Sequence, residues 1–118
     1  MLESTRINMI LVFENTELIK ARFLSIHEPK QFIETPEGLT TLDAIAMRLQ
    51  YIGECIKRID KIDPAFFTQH TEIDWPKIIN LRDFISHHYE MLNHEIVFNI
   101  CEIYIPQLNL FTQKILSS

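Results

Sequence analysis

The segment RDFISHHYEML, residues 82–92, sets an arginine, two adjacent histidines and a tyrosine in an apolar amphipathic stretch. Histidine titrates near neutrality and can carry a proton to or from a reacting group. An arginine fork can hold two oxygens of a phosphate and steady the charge that develops there. The same residues also suit a plain helix end, because histidines near a C-terminus complement the helix dipole. On a regular helix, at about 100° per residue, Arg82, Ser86 and Tyr89 share nearly one face, whereas His87 lies about 140° from Arg82. Arg82 and His87 therefore converge only if the helix ends or distorts near Ser86, or if a second subunit completes the site. A two-fold dimer does the latter readily, since both copies of a motif can meet near the axis. A zinc site at His87 and His88 is rejected: adjacent helical residues diverge by about 100°, and no further ligands stand out.

The elements that must position these residues read as helices. The first runs from about Thr5 to Ile26, with Ile7, Ile10, Leu11, Leu18, Ile19, Phe23 and Ile26 at helical spacing and Met9, Val12 and Phe13 widening the face. So wide a face suits a helix packed on two sides. A loop follows, HEPKQFIETPEGLTT, with one short turn around Gln31–Ile33. Thr40 or Thr41 then caps a second helix, with Asp43 three residues past Thr40 as in a capping box. Its stripe, Leu42, Ile45, Ala46, Leu49, Ile52, Gly53, Ile56 and Ile59, is the cleanest in the chain, and Gly53 marks a close helix–helix approach. Asp63-Pro64 starts a short helix, and Asp74 with Pro76 starts the one that carries Arg82. Asn93 caps the last helix, which Pro106 should kink or split. The economical packing is an all-α, up-and-down four-helix bundle with one additional short helix, a single domain over 1–118.

Composition agrees. The chain has 118 residues, 47% apolar and 23% charged, with only two glycines, which disfavours a turn-rich β fold. The formal charge of −5 weighs against a sequence-blind nucleic-acid binder, so any such activity must rest on a local site or a partner's surface. Cys55 and Cys101 sit in apolar periodic segments and read as buried free thiols. The N-terminal MLESTRINMILVF is unlike a secretory signal, and no apolar run is long enough for a membrane span; the expected location is cytoplasmic. His27, His70 and His94 read as solvated polar residues, Trp75 as packing for the helix start, KRIDKID (57–63) as a solvated helix end, and Tyr104 as structural.

Four ordered blocks carry a resemblance. DAIAMRLQYIGECIKRI holds an I-G-E at 52–54. IDWPKIINLRDFISHHYEMLNHEIVFNI holds W-x-x-I, then R-x4-H-x-Y, then E-I-V-F, and IPQLNLF holds a closing I-P-x-L. Over about residues 41–116 the chain resembles the HepT-like branch of the HEPN superfamily, the toxin half of HEPN–nucleotidyltransferase toxin–antitoxin pairs. The resemblance implies a helical bundle that forms a homodimer, with both R-x4-H motifs lining a cleft, and a metal-independent endoribonuclease with no cofactor. It makes Arg82 the motif arginine and His87 the motif histidine, with Asp83 in a weaker supporting role. Tyr89 becomes the tyrosine that a minimal nucleotidyltransferase antitoxin modifies with AMP. His88 falls at a variable position, no role transfers to Ser86, and Arg48, beside Met47, stands near a position where relatives carry an arginine. RNA is the implied substrate, with no DNA and no membrane among the partners.

Such cleavage uses the RNA's own 2′-hydroxyl as nucleophile. It needs a proton acceptor, a proton donor and a cation near the phosphate, roles that two histidines and an arginine of a dimer can divide. AMP on Tyr89 would add negative charge and bulk beside Arg82 and His87 and so repel an RNA phosphate. The alternative from the same resemblance is an inactive member that binds a nucleotide or a protein partner.

Overall fold

In a computed structural model, which describes residues 1–87 and 91–118 and only the backbone of Ser86, His87 and Met91, the chain is all-α. The helices are α1 (Glu3–Phe23), α2 (Gln31–Glu34), α3 (Pro36–Ile62), α4 (Ala65–Gln69), α5 (Trp75–Ile79) and α6 (Leu81–Ile85). After α6 come two-residue strands β1 (Ser86–His87) and β2 (Met91–Leu92), then α7 (His94–Asn99), a π-helical turn (Ile100–Tyr104) and α8 (Ile105–Ser117). Four helical segments make the bundle: α1, α3, α5–α6, and α7 continued into α8. Helix α1 packs between α3 and α8, while α5 and α6 lie on α3. At 1.5 Å per residue α3 is about 40 Å long, and it sets the longest dimension of the molecule, 43 Å.

Helix α3 owes its central place to its stripe. Leu42, Ile45, Ala46, Leu49, Ile52, Gly53, Ile56 and Ile59 are all buried, and each large aliphatic side chain among them stabilises the fold by about 1.5–3 kcal/mol. Gly53 marks the close approach expected of it, lying against the backbone of α5. The start of α3 differs from expectation. Thr35, not Thr40 or Thr41, is the cap: its Oγ1 accepts from the Gly38 N–H at 3.0 Å, and Pro36 opens the helix. Thr40 and Thr41 instead donate back to the carbonyls of Pro36 and Glu37, each at 3.0 Å. Proline at the first helical position needs no partner for its missing N–H, which fixes the start there. Asp63 likewise does not cap α4; its carboxylate accepts from Thr5 Oγ1 at 2.9 Å, tying α3's end to α1.

Helix α1 buries a narrower apolar face than its sequence offers. Met9, Val12 and Ile19 are in the core, but Ile7, Ile10 and Leu18 are exposed. Asn8 and Asn15 take part of the buried face. Each donates its amide to the carbonyl four residues back, Ser4 at 2.9 Å and Leu11 at 2.8 Å. Each also accepts from an arginine of α3, Arg58 at 3.1 Å and Arg48 at 3.3 Å. A polar side chain so satisfied can be buried at little cost.

Pro106 does not split the last helix: it stands in the first turn of α8, directly after a π-helical turn through which the helix runs on. The Ile105 N–H reaches back five residues to the Ile100 carbonyl, a π-type bond. Cys55 and Cys101 are buried free thiols. Among the described residues no helix is long and apolar enough to cross a membrane.

Candidate active site

Where a single helix is expected over residues 75–89, residues 75–87 form two short helices and a strand. Asp74 caps α5 as expected, its Oδ1 accepting from the Lys77 N–H at 3.2 Å. Trp75 packs the helix start: it is buried, touches Phe66, Phe67 and Phe111, and donates Nε1–H to the His70 carbonyl at 2.6 Å. His70 is not simply solvated, because its ring packs on Phe66 at 4.6 Å and on Phe111 at 5.5 Å. Asn80 ends α5. Its side-chain amide donates to the Pro76 carbonyl at 3.0 Å, competing with the backbone as asparagine does. Its own carbonyl then accepts from the Asp83 and Phe84 N–H groups and starts α6.

Leu81 and Ile85 anchor α6 in the core, which turns Arg82, Asp83 and Phe84 outward to solvent. Arg82 and Asp83 make no side-chain hydrogen bond or ion pair with any described residue. The helix stops at Ile85. β1 pairs antiparallel with β2, Ser86 opposite Leu92 and His87 opposite Met91, and the Asn93 N–H closes on the Ile85 carbonyl at 2.7 Å. Asn93 then caps α7 through its Oδ1, which accepts from the Ile96 N–H at 3.1 Å. The backbone of His87 is thus extended, and the angle of about 140° that an unbroken helix would impose on Arg82 and His87 does not apply. Of the expected site residues, Arg82 and Asp83 stand on the exposed turn of α6 and the His87 backbone on the strand that follows. Tyr89, the expected AMP acceptor, and His88, the expected bystander, lie outside the described residues, as does the His87 side chain.

Behind α5 and α6 lies an apolar cavity of about 220 Å³, walled by Ile78, Leu81, Ile100, Tyr104, Ile105 and Leu108. Lys77 reaches across it, its Nζ 4.1 Å from the centre of the Tyr104 ring, and so ties α5 to the π-helical turn. This contact gives Tyr104 the structural role expected of it. The KRIDKID end is exposed apart from Ile59 and the half-buried Asp63, but it is not simply solvated. Arg58 bonds Asn8 and lies 5.7 Å over the Tyr51 ring. Arg48 is bound to Asn15 on the α1 side of α3. Sequence reasoning missed these arginine–asparagine ties; the signal was Asn8 and Asn15, seven apart on the expected first helix. Among the described residues no three His, Cys, Asp or Glu side chains gather as metal ligands would.

A family model described as "Ribonuclease HepT-like" matches residues 13–115, which take in α3, α5, α6 and the strand pair. The chain belongs to the HepT-like ribonuclease family. Two curated relatives of this HepT-like chain agree with that. It is 30% identical over 75 residues to "Putative RNase MJ0127" of Methanocaldococcus jannaschii, covering 64% of the chain and 60% of the relative. It is also 30% identical over 73 residues to "Putative RNase TTE0752" of Caldanaerobacter subterraneus subsp. tengcongensis, covering 62% of each. The HepT-like chain thus spans about three-fifths of the length of the curated relatives it matches. No solved structure matches it.

Proposed function

We propose that this chain is a metal-independent endoribonuclease and the toxin of a HEPN–nucleotidyltransferase toxin–antitoxin pair. Arg82 holds the scissile phosphate and His87 moves protons. Asp83 supports them, and Tyr89 is the residue that a minimal nucleotidyltransferase antitoxin silences with AMP. Membership of the HepT-like family and the names of the two relatives support a ribonuclease. The observation that carries the site is the end of α6 at Ile85. It leaves Arg82 exposed on the last helical turn and puts His87 in an extended segment that starts at Ser86, so the two need not diverge.

The reaction follows from the residue types. A histidine takes the proton of the 2′-hydroxyl, whose oxygen attacks the adjacent phosphorus. The 5′-oxygen leaves with a proton from a second histidine, and a 2′,3′-cyclic phosphate remains. The arginine fork steadies the equatorial oxygens in the transition state. With one motif per chain, a homodimer supplies both histidines. The test is RNA cleavage by purified, unmodified chain against its His87→Ala variant. Equal cleavage by the two refutes the reading. Intact mass after co-expression with the nucleotidyltransferase tests the switch: added AMP should disappear in Tyr89→Phe.

A further inference from the structure

Helix α1 carries more apolar surface than its own fold uses. Ile7, Ile10 and Leu18 are 51%, 38% and 43% exposed, and Leu11 is half-buried. Ile7, Leu11, Glu14 and Leu18 fall within about 60° of one another around the helix. Beside them on α3 stands the half-buried Tyr51. Leu11, Glu14 and Leu18 of α1 and Arg48 and Tyr51 of α3 line one shallow depression, whose walls come from these two helices alone.

Of the charged residues that line this depression, Glu17 is held within the chain by Lys20 at 3.9 Å and by the Asn109 amide at 2.7 Å, whereas Glu14 and Arg48 are left over. Glu14 and Arg48 form no ion pair with each other or with any other described residue. The Arg48 guanidinium makes one hydrogen bond, to Asn15 Oδ1 at 3.3 Å, and its buried Nε has no partner. A face that offers apolar side chains together with both an unpaired acid and an unpaired base is complementary to itself. Monomers seldom leave such a surface uncovered. A heterologous partner would need only one sign of charge opposite each group, whereas a two-fold contact between identical faces supplies both at once.

We propose that the α1–α3 face docks a second copy of this chain in a two-fold contact, with Ile7, Leu11 and Leu18 packed at its centre and Glu14 of each copy paired with Arg48 of the other. This contact is separate from the candidate active site. Tyr51 and Gly53 point about 160° apart around α3, and Gly53 faces α5. The seams of α3 with α1 and with α5 are therefore on opposite flanks. The proposal does not depend on the ribonuclease reading.

Light scattering on the full chain at micromolar concentration, with wild type, Leu18→Glu, Glu14→Arg, Arg48→Glu and the double charge reversal, tests it. Wild type should hold an even number of copies, and Leu18→Glu should halve it with helicity unchanged, since Leu18 is outside the core. Each single charge reversal should weaken association about tenfold, within the range of close charge pairs, and the double reversal should restore it. A monomeric wild type, or copy number unmoved by Leu18→Glu, overturns the face. Single reversals without rescue overturn a second copy as its occupant. A chain that cuts no RNA yet loses half its copies on Leu18→Glu refutes the ribonuclease reading and sustains this one.

Discussion

Gly53 of α3 lies so close to Ile78 of α5 that a β-carbon there would stand 3.0 Å from the Ile78 carbonyl oxygen, and 3.6 Å from that of Ile79. The backbone of α5 therefore rests on α3 immediately before the break at Asn80, and this seat fixes where α6 and Arg82 begin. Gly53→Val should force α5 outward. Overpacking of this kind costs about 1–3 kcal/mol, more than valine gains over glycine in helix propensity. Urea unfolding should show the lower midpoint, and an unchanged midpoint would mean that the contact holds nothing.

Arg82 is exposed and bonded to no described residue, so Arg82→Ala should change stability by no more than about 0.5 kcal/mol. Its effect belongs to catalysis. Cleavage by Arg82→Ala and by His87→Ala should each fall about 10²–10⁴-fold while thermal melts stay put. Arg82→Lys keeps the charge but loses the fork and should recover only part. Single-turnover cleavage of a labelled RNA, read beside the melts, separates this outcome from a merely folded-state defect.

Burial pushes the Cys101 thiol up to about 12 from its ordinary 9.0. The folded chain then holds that proton more tightly than the unfolded chain does. The resulting stability is full below pH 9, declines as pH rises above it, and is gone beyond about pH 12. Cys101→Ala should remove this part of the alkaline decline, seen as a flatter unfolding free energy between pH 9 and 11. Native Cys101 should also resist iodoacetamide at neutral pH and react once the chain is unfolded.

Asn109 joins α8 to α1 from within the core. Its amide donates to Thr16 Oγ1 at 2.9 Å and Glu17 Oε2 at 2.7 Å, and its oxygen accepts from Gln113 at 2.7 Å. Removing one member of a buried network strands the others, at about 1–3 kcal/mol. Asn109→Ala should lower the denaturation midpoint accordingly. Adding Thr16→Val should cost less than the sum of the two single changes, because the two share a bond.

Much of the frame could be read directly. The eight stripe residues of α3 lie three or four apart except where two are adjacent, and all are buried. Asp74 and Asn93 cap the helices expected of them because each has a short side-chain oxygen that accepts from the N–H three residues on. The inward face of α1 was not legible: the burial of Asn8 and Asn15 is decided by Arg58 and Arg48, 50 and 33 residues away. The start of α3 is legible at Thr35-Pro36, itself a start signal, while the Thr40–Asp43 pattern mimics a second start one turn inside the helix. At the candidate site, the apolar positions Ile78, Leu81 and Ile85 continue helical periodicity through the break, so spacing alone could not reveal it. What breaks the helix is a side-chain bond of Asn80 and the pairing of residues 86–87 with 91–92. The site's need for a helix end, in contrast, followed from the residue angles alone.

The π-helical turn at Ile100–Tyr104 sets the register of the whole last helix. Ile100 and Ile105, five residues apart, both face the core at 2% exposure, although in an unbroken α-helix they would stand about 140° apart. The turn holds one residue more than an ordinary helical turn and keeps the apolar phase of α7 aligned with that of α8. The extra residue, which in an unbroken α-helix would turn everything downstream by about 100°, is absorbed in that one turn of backbone. Any residue-by-residue comparison of this segment with a regular helix must therefore leave a gap between 100 and 104, and an unbroken alignment would pair core positions with surface ones from there to the C-terminus.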